Sequence, residues 1–170
     1  IMGMILAAMA FKTSKEKIHP FKEWLREFII YGRELKRCLM FVAKKDYGDF
    51  VDNTLANEFH ITDFRTFFEG EKMMTLKEFE RGDIDSLIAC GRISEGVDIK
   101  SVDTIVLFSA DATRLQTIQR IGRALRTDSN NPDKISTVVD FIWEGDDEEE
   151  TADTKRRDYL SGLANTRRKE

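Results

Sequence analysis

Cysteine and histidine are scarce, two of each in 170 residues. Cys38 and Cys90 both sit in apolar runs that read as strands, so no disulfide framework is expected and a reducing compartment, the bacterial cytosol or an equivalent, fits. Two cysteines and two histidines at unrelated spacings give no metal site. No apolar run reaches the about 18 residues of a membrane helix, and no membrane partner is expected. Ile1 to Phe11 is apolar but short and lacks a basic start, unlike a signal peptide. A chain opening on Ile1 reads as a piece of a longer one. Excess positive charge is also missing: 27 Lys and Arg against 31 Asp and Glu leave a net −4. That argues against coating nucleic acid by bulk charge, though not against a local basic groove. Finally, the chain has no G-x-x-x-x-G-K-[ST], hence no glycine-rich cradle for nucleotide phosphates.

What is present describes a globular domain with a charged surface: 41% hydrophobic and 34% charged residues. This length can bury roughly 70% of its unfolded surface. The acids are concentrated in one place. Glu144, Asp146, Asp147, Glu148, Glu149 and Glu150 are six of the 31, and without them the balance would be +2. This run reads as a solvated linker. Asp147-Glu148 follows the wrong element to be an acidic metal motif.

Five short apolar runs read as strands: Cys38 to Ala43, Phe64 to Phe68, Ser86 to Cys90, Thr104 to Phe108 and Thr137 to Ile142. Runs that are apolar throughout suit strands buried on both faces. Helical stripes alternate with them. Pro20 suits a first turn, and Phe21, Trp24, Leu25, Phe28 and Ile29 follow at helical spacing. These aromatics read as core. Asp46 is placed to cap a second helix with Tyr47, Phe50, Val51 and Leu55 as its stripe. Met73, Leu76 and Phe79 mark a third, stopped at Gly82. Tyr159, Leu160 and Leu163 mark a last helix within 152–165, followed by a solvated basic end. The alternation predicts an α/β fold with a mainly parallel sheet covered by helices on both faces. Such sheets bind ligands beyond the carboxyl ends of their strands.

The most distinctive stretch is RLQTIQRIGRALR, Arg114 to Arg126. Leu115, Ile118, Gly122 and Leu125 share one helical face, and Gln119, Arg123 and Arg126 share another. Thr113 and Gln116 form a capping-box pattern at its start. No acid lies between Asp111 and Asp128 to neutralise the four arginines. A basic helix face is ordinarily a solvated surface. Here Gly122 weakens the helix by about 1 kcal/mol relative to Ala, and the arginines lack i,i+4 acids. Uncompensated guanidiniums suit phosphate, which they grip with forked donors.

QRIGRALR, Gln119 to Arg126, resembles motif VI of superfamily-two helicases and translocases. SEGVDIKSVDTIVLF, Ser94 to Phe108, resembles motif V with its following strand, and RCLMFVAKK, Arg37 to Lys45, fits motif IV. The resemblance runs over roughly residues 36 to 142, in the style of DNA-repair and restriction-type translocases. It implies a second, C-terminal RecA-like domain: a three-layer sandwich over 18–143. A linker or lead-in segment of 1–17 would precede it, and an acidic linker with a final helix would occupy 144–170.

The resemblance implies that Arg123 and Arg126 act as arginine fingers on the γ-phosphate of ATP. Gln119, Arg120, Gly96 and Asp98 would serve ATP binding or the interdomain contact, although Asp98 alternatively reads as a turn residue capping local amides. Lys44, Gly91 and Arg92 would contact the nucleic-acid backbone. The sequence departs from the family at Cys90, which reads as core rather than phosphate donor, and at Lys100, where proline is usual. The phosphate cradle and Mg²⁺ ligands are expected on an N-terminal RecA-like domain of the same parent chain, so this domain alone is expected to be inactive. Its other partner would be nucleic acid, DNA before RNA. The alternative is a non-catalytic RecA-like scaffold that binds nucleic acid or protein.

Overall fold

The computed structural model describes residues 14–68, 70–90, 102–108, 137–141 and 157–161. A 3-10 turn at Ser14–Lys17 leads into α1 (Ile18–Ile30), β1 (Cys38–Val42), α2 (Lys45–Phe59) and β2 (Phe64–Phe67). Next come α3 (Met73–Arg81), β3 (Ser86–Cys90), β4 (Thr104–Leu107) and β5 (Thr137–Asp140). Residues 157–161 are helical. The strands form one sheet in the order β2-β3-β1-β4-β5, with every pairing parallel. All five apolar runs are therefore strands.

The chain moves outward from β1 to β2 through α2 and returns to β3 through α3. Crossovers of one hand that run in opposite directions place their helices on opposite faces. The two halves of the core follow this rule. On one face, Phe21, Trp24, Leu25 and Phe28 of α1 and Val51 and Leu55 of α2 cover Met40, Val42, Ile88 and Val106. On the other, Leu76 and Phe79 of α3, with Leu160, cover Leu39, Phe41, Leu87 and Ile105. Strand β1 is central, and all five of its residues are buried. The result is a three-layer α/β sandwich.

Three residues expected in the apolar stripes are exposed instead. Ile29 lies in the last turn of α1, before the chain bends at Gly32. Met73 is the first residue of α3. Phe50 sits off the buried line of Gly48, Val51 and Leu55, on the flank where Tyr47 meets its ring. Asp46 is not the cap of α2. The helix begins one residue earlier, with Lys44 extended before it and no side-chain cap bond. Asp46 instead occupies the first turn, where its charge suits the positive end of the helix dipole. Helix α3 stops at Gly82 as expected, with φ +87°. Helix α2 ends on a left-handed His60 at φ +56°, an end that no glycine announces.

Gly48 is buried in α2 where the helix crosses β1 and Phe68. A Cβ there would lie 2.7 Å from two ring atoms of Phe68 and 3.2 Å from Val42 Cγ2. The Phe68 ring is itself enclosed in the core and has little room to yield. Alanine should strengthen the helix by up to about 1 kcal/mol but incur overpacking of about 1–3 kcal/mol. Gly48→Ala is expected to lower stability by roughly 1 kcal/mol, read as a reduced denaturant midpoint with an unchanged slope.

Candidate functional site

The sheet order sets β3, β1 and β4 side by side. Val42 pairs with Cys90, and Phe41 pairs with Leu107, so the three strands end nearly level. Neighbouring strands lie about 4.8 Å apart, which puts the three exits within roughly 10 Å of one another. Each exit opens a segment singled out in the sequence. Lys44 lies two residues beyond β1, Gly91 follows Cys90 directly, and Phe108 precedes the approach to Arg114.

Lys44 is exposed at this carboxyl edge, at the start of α2. Of the sequence-predicted site residues it is the one the structure describes. Gly91, Arg92, Gly96, Asp98, Gln119, Arg120, Arg123 and Arg126 lie outside the described residues. What the structure brings together is the roots of their segments. Cys90 takes part in holding those roots: its Sγ donates to the Ala43 carbonyl at 3.3 Å and packs against the core. Cys90, read from the sequence as core, is half-buried and packs at the margin of the core.

Phe108 organises the same edge. Its ring meets Phe21 edge-on at 5.0 Å, Tyr47 edge-on at 5.4 Å and Phe141 in a stack at 5.5 Å. Its backbone N–H donates to Phe41 at 3.0 Å, and its carbonyl accepts from the buried Lys17 Nζ at 2.7 Å. Elements α1, α2, β1 and β5 thus converge on the last described residue of the β4 segment. Burial of Tyr47 pushes its phenol well above the ordinary tyrosine range, so it stays neutral. Nothing in the sequence singled out Lys17. A lysine before an amphipathic helix resembles any solvated lysine until the partner 91 residues away is known.

The opposite, amino edge serves the fold. Arg37 adopts a left-handed φ of 45° before β1. Its backbone N–H donates to Asp85, its guanidinium donates to the Ile84 carbonyl at 2.9 Å and lies 4.3 Å over the Phe79 ring. Burial lowers the Arg37 pKa, while the charges of Asp85 and Asp103 act to raise it. An open groove of about 240 Å³ nearby is lined by Thr62, Asp63, Arg65, Asp83, Ile84 and Asp85. With three carboxylates to one guanidinium it would repel a polyphosphate, so the carboxyl edge is the better candidate site. Among the described residues no group of three or more His, Cys, Asp or Glu is placed to hold a metal ion. No helix among them is long and apolar enough to cross a membrane.

Residues 20–128, well over half the chain, match the helicase conserved C-terminal domain. The chain belongs to that family. The match takes in the exits of β1, β3 and β4, the arginine stretch and helix α1 from Pro20 onward. Among curated relatives, the ATP-dependent DNA helicase fml1 of Schizosaccharomyces pombe is 40% identical over 52 residues, which cover 31% of this chain and 6% of that protein. IRC3 of Saccharomyces cerevisiae is 28% identical over 115 residues, covering 65% of this chain and 16% of its own length. The helicase domain thus spans a small part of each relative it matches. The yeast DEAD-box splicing factor Prp28 shares the fold at TM-score 0.65 and 17% identity, over 96% of this chain and 33% of that one. The Pyrococcus furiosus Hef helicase domain does so at 0.56 and 24%, over 86% and 28%. The sandwich is therefore the RecA-like fold of a helicase C-terminal domain.

Proposed function

We propose that this helicase C-terminal domain forms one wall of a composite ATP site and part of a nucleic-acid track in a longer motor protein. The observation that carries the reading is the meeting of three motif roots at one carboxyl edge, on strands β3, β1 and β4. Phosphate-binding groups are effective there because segments leaving adjacent parallel strands reach the same volume.

The residues at hand fit a nucleotide partner only in part. An arginine-rich segment follows β4, and Lys44 adds an exposed ammonium at the same edge. The phosphate cradle and the carboxylates for Mg²⁺ would come from an N-terminal RecA-like domain of the same parent chain. ATP supplies the phosphoryl group whose charge spreads over its oxygens during transfer. Arg123 and Arg126 would stabilise that charge, while Gln119 would touch the nucleotide or the facing domain. Arg120 and Asp98 would hold the interdomain geometry, and Gly96 would admit a close backbone approach. By itself this domain would not turn over ATP at a useful rate.

Nucleic acid would cross the edge through Lys44, Gly91 and Arg92. Such contacts grip phosphates and are largely blind to sequence. DNA is the favoured track, since fml1 is named a DNA helicase. In the two-domain protein, Lys44→Ala is expected to weaken binding to all sequences alike. It should also reduce the slope of log affinity against log salt by about one. An unchanged slope would remove Lys44 from the track. The whole reading is tested by ATP turnover of the two-domain protein, which nucleic acid should stimulate.

A further inference from the structure

Helices α2 and α3 both follow the carboxyl ends of strands, β1 and β2, and run back to the amino edge to start the next parallel strand. Their first residues therefore flank the carboxyl edge, on opposite faces of the sheet. Three ammonium groups stand at these two helix starts, Lys44 and Lys45 at α2 and Lys72 at α3. All three are exposed, and among the described residues none forms an ion pair, not even with Asp46 beside Lys45. Glu71 is engaged elsewhere: its carboxylate accepts the Phe68 N–H at 3.0 Å and the Thr66 hydroxyl at 3.4 Å. At the amino edge, by contrast, Lys36 pairs with Glu34 and Arg81 with Asp83. Unmatched ammonium groups on both sides of one edge complement a polyanion that crosses it.

Next to Lys72, two large apolar side chains are left in water. Met73 is 45% exposed and Met74 55%, while Leu76 and Phe79 of the same helix are fully buried. Methionine is long, unbranched and polarizable, and its thioether packs favourably against aromatic rings. A phosphate backbone gives such a side chain nothing to pack on. An unstacked base does, and every base has a π face, so the contact tolerates any sequence. We propose that Met73 and Met74 touch the bases of a single strand whose phosphates lie on Lys44 and Lys72. The β2 side of the carboxyl edge is then a reader of unpaired nucleic acid. This rests on the nucleic-acid reading of that edge and adds a base contact to its phosphate grip.

The test is equilibrium binding of the two-domain protein to two fluorescent strands of equal length, oligo-dT and a fully abasic counterpart. Met73→Ala/Met74→Ala is expected to lower affinity for oligo-dT about fivefold, and for the abasic strand by less than about twofold. Its Tm should match that of the parent, because both side chains are exposed. Met73→Leu/Met74→Leu keeps apolar bulk and should bind both strands nearly as the parent does. Lys72→Ala should weaken both strands alike and reduce the salt slope of each by about one. Unchanged oligo-dT affinity in the double alanine variant, or equal loss on the two strands, would overturn the base contact. Lys44→Ala is measured beside it. If Lys44→Ala weakens both strands while the double alanine variant binds like the parent, the base contact alone fails. If the parent binds neither strand, the nucleic-acid reading of the edge fails as well.

Discussion

Arg123→Ala in the two-domain protein should abolish ATP turnover, lowering kcat by about 10³- to 10⁵-fold. The size of the effect follows from what a guanidinium does for phosphoryl transfer. Little covalent chemistry is asked of the protein, so positioned charge supplies most of the acceleration. A planar, permanently charged fork that reaches phosphoryl oxygens cannot be replaced by water in a closed cleft. Arg123→Lys should recover only part of the rate, because an ammonium lacks the paired donors. Fold should be little affected: by sequence spacing Arg123 is expected on a different helical face from Leu115, Ile118 and Leu125, the apolar line of that stretch. Circular dichroism and Tm would therefore stay near those of the parent while turnover disappears. Turnover within tenfold of the parent would contradict the role.

Phe108→Ala should be the most destabilising single change at the carboxyl edge. The ring is 1% exposed and meets Phe21, Tyr47 and Phe141 on three sides. Those partners belong to α1, α2 and the end of β5, so the cavity would open at the junction of three elements. Phe→Ala in a core costs about 3–5 kcal/mol, and edge-on and stacked pairs add to the loss beyond area alone. For a domain of this size the corresponding fall in Tm is about 10 °C. Phe108→Leu fills most of the space and should cost less than half as much. Thermal unfolding of the two variants beside the parent checks the order. Equal effects would mean that the ring contacts, lost in both variants, outweigh the volume that leucine keeps.

The contrast between these two residues shows how the sequence could be read. Strands such as CLMFV are apolar throughout because both faces of a parallel sheet are covered, so composition alone marks them. Their alternation with helical stripes already implies a parallel sandwich. The spatial order β2-β3-β1-β4-β5 is different: it depends on which strand each crossover passes, and no local pattern encodes that. Stripe positions at helix margins were misleading for a related reason. Ile29, Phe50 and Met73 keep helical spacing but lie where the helix no longer faces the sheet. The cap at Asp46 failed because the backbone entered the helix two residues sooner than a cap at that position requires. The link from Lys17 to Phe108 was invisible for want of any periodic signal across 91 residues.

The candidate site was legible in a different way. Motifs around Gly96 and Arg123 were read from their resemblance to a family, and the family membership of residues 20–128 agrees with that reading. The structure adds a common edge for their roots, with Lys44 exposed between them. It also gives a physical reason for Cys90, whose thiol serves the Ala43 carbonyl instead of a phosphate.

The most direct test of the composite-site account is ATP turnover by the two-domain protein. Four conditions would be compared at two salt concentrations: no nucleic acid, duplex DNA, single-stranded DNA and RNA. The account predicts low basal turnover, stimulation by a DNA track that weakens with salt, and no turnover from this domain alone. A folded two-domain protein that hydrolyses no ATP under any of these conditions would contradict it, and would leave the arginine segment with a ligand other than a nucleotide.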